Sequence, residues 1–163
     1  MLNKMKMAFA GSVVAAAMVA APANAATQNV GADAEIIEAV TLDSVVDIDF
    51  GTIAADATGG TVTVAATAAG TRACGTLTCV GNASSGSVDV TAASGQTVAV
   101  SMPTGAVTLT SGGNTMSMTP TVSSTSFTSA GTDTVYFGGS LAVAANQAAG
   151  AYAGSFNVDI NYQ

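Results

Sequence analysis

Histidine and tryptophan are both absent from this 163-residue chain. Nucleophilic catalysis by serine or cysteine ordinarily runs through an imidazole base, so the first absence removes the commonest hydrolase and transferase constellations. The second, with aromatics at only 5% of residues, leaves no obvious stacking platform for sugars. Basic residues are nearly as scarce: Lys4, Lys6 and Arg72 are the whole set, against ten carboxylates. So acidic a chain repels phosphate backbones and anionic lipid, which argues against nucleic acid as a partner. The glycine pairs Gly112-Gly113 and Gly138-Gly139 lack the spacing and the lysine of a phosphate loop. Nothing in the sequence points to a cofactor.

Both lysines fall in the first few residues, directly ahead of an apolar run. Residues 7–21 are apolar except for Gly11 and Ser12, and Pro22 ends the run. Ala23-Asn24-Ala25 then places small residues at the two positions that a signal peptidase reads. A membrane span needs about 20 apolar residues, more than this run supplies. Residues 1–25 are therefore expected to be a cleaved secretory signal. The remaining chain, from Ala26, would carry Arg72 against ten carboxylates, a net charge of −9. It has no second apolar run long enough to span a bilayer, and its length suits one domain with a real core. Export to the periplasm, then to the cell surface or beyond, is the expectation.

The rest of the chain is rich in Ala, Gly, Thr, Ser and Val. Apolar residues recur at every second position in short runs, separated by glycine and serine turn signals. Val46, Ile48 and Phe50 alternate with Asp47 and Asp49. Further strands are expected over residues 61–64, 87–91, 97–102 and 107–109. Another carries Met116 and Met118 and stops at Pro120, and two more flank a bend at Gly138-Gly139. Alanine-rich pieces such as residues 65–70 are too short and uncharged to stand as helices. The fold class is all-β, a sandwich or barrel.

Cys74 and Cys79 enclose four residues. In an oxidising compartment they are expected to form a disulfide across the base of a small hairpin loop. A loop so short limits denatured-state entropy by only about 2 kcal/mol in the chain-entropy account. A zinc site would need histidine or further cysteines. Asp47 and Asp49 are the nearest thing to a catalytic carboxylate pair, or to two calcium ligands. They are expected instead to be solvated charges on one strand face. The chain is therefore read as a non-enzyme.

The cleanest pattern lies at the end. Tyr152, Gly154, Phe156, Val158, Ile160 and Tyr162 share one parity, and Ala153, Ser155, Asn157, Asp159, Asn161 and Gln163 share the other. That alternation predicts one strand over residues 152–162 with a buried and a wet face. Tyr162 is next to last and Gly150 is fourteenth from the end. In these features the segment resembles the C-terminal strand of chaperone–usher pilus subunits. The mature chain is also similar, over roughly residues 35–162, to secreted bacterial domains catalogued as domain of unknown function 4402. The pieces that carry this likeness are residues 47–53 (DIDFGTI), Phe137-Gly138-Gly139 with Leu141 and Val143, and residues 150–156 (GAYAGSF).

The resemblance implies an immunoglobulin-like β-sandwich that is incomplete and is completed by a donor strand. Domain boundaries would be a signal at 1–25, an N-terminal extension at 26–34 and a sandwich at 35–163. Gly150, Tyr152, Gly154, Phe156, Val158, Ile160 and Tyr162 would form the strand that binds a chaperone or the next subunit. Val30, Ala32, Ala34 and Ile36 would form the donor segment. A periplasmic chaperone and an outer-membrane usher would be the assembly partners, and a homopolymer the product. Donated strands gain affinity from backbone bonds and specificity from alternate side chains, and a head-to-tail contact that does not close propagates as a fibre. The alternative is a self-complete secreted sandwich that acts as a surface or coat binding module. In that case the N-terminal segment would pair within its own domain.

Overall fold

A computed structural model describes residues 26–163; the expected signal at 1–25 lies outside the described residues. The chain divides into two units, Met1–Glu35 and Ile36–Gln163, and among the described residues every strand belongs to the second. Residues 26–40 carry no strand, and Val30 and Ile36 are 87% and 96% exposed. The described residues contain no helix, in keeping with a sequence rich in β-branched residues and broken by glycine.

Among the described residues, twelve strands form three antiparallel sheets. The largest is built around β11 (Thr132–Val143). The first half of β11 pairs with β6 (Gly86–Thr91), which in turn pairs with the edge strand β1 (Thr41–Val46). Its second half pairs with β3 (Gly60–Val64), and β3 pairs with the short β4 (Arg72–Ala73). On its other edge β11 pairs with β9 (Asn114–Val122), and β9 closes a hairpin with β8 (Val107–Ser111). The second sheet is β10 (Ser126–Thr128), β7 (Thr97–Ser101) and β12 (Asp159–Tyr162), with β7 in the middle. The third is β2 (Thr52–Ala54) with β5 (Thr78–Val80).

Alternation along these strands builds two apolar clusters. Val88 and Val90 of β6, Val98 and Val100 of β7, Val135 of β11 and Ile160 of β12 meet in one. Val62 and Val64 of β3, Met118 of β9, Leu141 and Val143 of β11 and Phe50 meet in the other. Ile48 and Phe156 pack against both. The chain is thus a β-sandwich whose layers face each other across residues of matching parity.

Three expectations need correction. Gly138-Gly139 is not a bend between two strands, because β11 runs straight through it. A Cβ on Gly138 would strike the backbone of β3 and its exit, Val64 O and Ala66 N, so glycine lets the neighbouring chain approach where β6 gives way to β3. Pro120 does not stop its strand either. Ser123 N–H donates to Tyr136 O (2.9 Å), so odd residues of β9 face β11. By ladder parity Pro120 turns its nitrogen to the other edge, beyond Met118, where β8 no longer pairs. Finally, Cys74 and Cys79 are bonded (Cα–Cα 6.2 Å) but do not sit at the base of a paired hairpin. The strands beside them pair elsewhere, β4 with β3 and β5 with β2, so the bridge closes a tight link between two sheets.

Candidate functional site

The C-terminal alternation holds as a burial pattern and fails as a single strand. Tyr152, Phe156, Val158 and Tyr162 are half-buried, Ile160 is buried, and their odd-numbered neighbours are exposed. Yet ladder pairing is confined to β12, where Asp159 to Tyr162 lie opposite Ser101 to Val98. Upstream, one bridge joins Ala153 to Thr110, by Thr110 N–H to Ala153 O (2.9 Å) and Ala153 N–H to Thr110 O (3.1 Å). Among the described residues, 154–158 make no backbone hydrogen bond.

Glycine explains how this segment lies so close to β8. A Cβ on Gly154 would fall 2.7 Å from Thr108 O and 3.3 Å from Leu109 Cα. One on Gly150 would meet the Ser111 hydroxyl. Ala153 turns its backbone groups toward β8, and Gln163 turns its N–H toward β7, donating to Thr97 O (3.0 Å). In extended chain of that parity, Gly154, Phe156 and Val158 present theirs to the opposite edge.

That opposite edge borders a groove of about 1020 Å³. One wall is residues 147–158 and the other is residues 45–55. The second wall is paired only on its far side. Val46 lies opposite Ser87, Asp49 and Ser84 exchange two bonds of 2.9 Å, and β2 pairs with β5. Among the described residues no ladder joins the two walls. They meet at one end, where Asn146 N–H donates to Asp56 O (2.7 Å). The floor is apolar, with Leu109, Met116, Met118, Phe137 and Leu141. Phe156 stands edge-on to Phe137 there, ring centroids 6.4 Å apart. Val45 and Val46, both largely exposed, lie at the rim. A cleft of this shape has two lengths of main chain that no ladder joins and an apolar floor between them. It has the form to accept extended chain.

The predicted site residues divide accordingly. Gly150, Tyr152, Gly154, Phe156 and Val158 line the groove. Ile160 and Tyr162 do not; they belong to the core beside β7. Tyr152 also ties its own loop, accepting from Gln147 Nε2 (2.7 Å) and donating to Ala148 O (2.8 Å). The Tyr162 hydroxyl donates to Glu38 O and accepts from Ala93 N–H, both at 2.7 Å. Val30, Ala32, Ala34 and Ile36 lie in the exposed strandless segment. Asp47 and Asp49 are exposed, and Asp49 Oδ1 accepts from Gly51 N–H (2.7 Å). No group of three metal-ligating side chains occurs among the described residues. No helix there is long and apolar enough to cross a membrane.

Sequence reasoning missed the 45–55 wall as a partner of the C-terminal segment, and it missed Arg72. The signal for Arg72 was present: it is the one basic residue after Lys6.

The model of one protein family, described as Domain of unknown function (DUF4402), matches residues 40–162. No curated protein and no solved structure matches the chain.

Proposed function

The chain belongs to the DUF4402 family, and within it we propose that this member is a structural subunit of an extracellular fibre, joined to its neighbours by a donated strand. The observation that carries this reading is the groove between residues 45–55 and 147–158, whose two walls no ladder joins and whose floor is apolar. An inserted strand would bond to both edges and would complete an immunoglobulin-like sandwich. Its alternate side chains would cover Phe137, Phe156 and the methionines of the floor.

The donor is residues 26–37 of a neighbouring copy, with Val30, Ala32, Ala34 and Ile36 on one parity. Support comes from the exposure of this segment and its lack of a strand. The Tyr162–Glu38 hydrogen bond sets where the donor ends, because it keeps Glu38 on its own domain. During export a periplasmic chaperone strand fills the groove first, and an usher exchanges it for the next subunit. The low charge and the single disulfide suit that route.

The test is to express the whole chain with its secretion and assembly partners and to examine the product by electron microscopy and detergent electrophoresis. Filaments, and a ladder that collapses only on heating, are expected. Deleting residues 26–34 should abolish the ladder and leave a folded monomer. Monomers alone from the intact chain, or polymer from the deleted one, would overturn the reading.

A further inference from the structure

The 45–55 wall of the groove has a gap in its support. Asp49 is fixed by its bridge to Ser84, and Thr52 to Ala54 by pairing with Val80 to Thr78. Phe50 and Gly51 lie between these ladders and belong to neither. The Arg72 guanidinium fills the gap. Its Nη1 donates to Phe50 O (2.9 Å) and, at the limit of contact, to Val80 O (3.4 Å), while Nη2 donates to Gly81 O (2.8 Å). Each bonded partner is a main-chain carbonyl. A planar fork of donors serves several carbonyls at fixed angles, which a lysine ammonium cannot reproduce.

Two neighbours keep this fork in place. Gly51 has φ +69°, and a Cβ there would strike Arg72 Nη1 and stand 2.5 Å from Asn82 O. Arg72 itself lies on β4, which is anchored to β3 in the large sheet, two residues before Cys74. Cys79, the other end of the disulfide, lies opposite Ile53 of the wall. One side chain thus couples the large sheet to the wall at Phe50, the residue whose ring is buried in the floor cluster.

We propose that Arg72 is the positioning residue of the groove: it buckles residues 49–54 at the spacing an inserted strand requires. This rests on the strand-accepting reading above. The test uses the whole exported chain, refolded as monomer, and a synthetic peptide of residues 26–37. Arg72→Ala should exchange its amides at 50–54 faster while those of β11 are unchanged. It should also bind the peptide about tenfold more weakly, the worth of one charge-assisted hydrogen bond. Methylguanidinium added to Arg72→Ala should restore part of both, and Arg72→Lys should restore neither fully. Unchanged exchange at 50–54, or peptide affinity equal to wild type, would overturn the proposal. If Arg72→Ala fails to fold, Arg72→Met, which keeps the packing stem and removes the guanidinium donors, is held to the same two readouts. Failure of the wild-type chain to bind peptide or to polymerise would count against the fibre reading instead, and wall exchange would still judge the buckle.

Discussion

The two halves of the C-terminal segment share one sequence pattern and have different structures. Residues 159–162 alternate and lie in a ladder with β7; residues 152–158 alternate equally well and have one bridge at Ala153. Side-chain periodicity reports which face is buried, since that depends only on extended backbone and a nearby core. It carries no information on whether a neighbour supplies hydrogen bonds along the edge. Here the core is supplied along the whole segment, and the neighbour along only part of it.

The largest effect that sharpens this comparison is in the core. Ile160, 7% exposed and in the ladder half, packs among Val88, Val98 and Val135. Ile160→Ala should cost about 3 kcal/mol in urea unfolding. Phe156, half-buried at the groove, should cost less, about 2 kcal/mol, because part of its ring already faces open space. If Phe156→Ala proves the costlier change in the isolated monomer, the groove is filled from within and the two halves are alike.

A smaller effect tests how the unpaired half is held. Gly154→Val would press a side chain against Thr108 O and Leu109, and should cost about 2 kcal/mol by overpacking. The shift it forces should also open the Ala153–Thr110 bridge, read as faster exchange at those two amides. Loss of stability with both amides still protected would mean that β8, not the C-terminal segment, gives way. Smaller again is Tyr162→Phe, which removes the hydroxyl between Glu38 O and Ala93 N–H. We expect about 1 kcal/mol, the net worth of hydrogen bonding at a half-buried site. Proteolysis should then begin nearer Thr41, since Glu38 is no longer tied. Cleavage sites unchanged from wild type would show that the start of the domain is held elsewhere.

Much of the sandwich was legible because its determinants are local. The strands β3, β6 and β7 arise from alternation bounded by glycine and proline, and the disulfide was legible from the close spacing of Cys74 and Cys79. The features that were not legible depend on partners distant in sequence. Pro120 reads as a stop until the β8 ladder is known to reach no further than the Val107–Met118 pair, leaving the proline nitrogen on an open edge. Gly138 reads as a bend until the backbone of β3 is known to press on it. The groove needs two walls about a hundred residues apart, and the alternation that each carries says nothing of which other segment it faces. The earlier wall is pinned by Arg72 through carbonyls, and acceptors on the main chain leave no trace in side-chain composition.

The closed end of the groove offers the smallest test. There Asp56 O accepts from Asn146 N–H, and the Asp56 side chain shapes the turn that presents it. Asp56 Oδ1 accepts from Thr58 Oγ1 (2.7 Å), Thr58 N–H (2.9 Å) and Gly59 N–H (2.7 Å). These donors, the Thr58 hydroxyl first, hold the carboxyl below its ordinary value of 3.8. A carboxyl whose folded value is depressed stabilises the fold above the unfolded value, and that contribution is lost as pH falls through the folded value. Wild type should therefore melt above Asp56→Ala near neutral pH, and the difference in Tm should shrink only below about pH 4. A difference that stays constant into strong acid would assign the effect to the turn's shape, not to its charge. The join between the two walls would then be indifferent to pH.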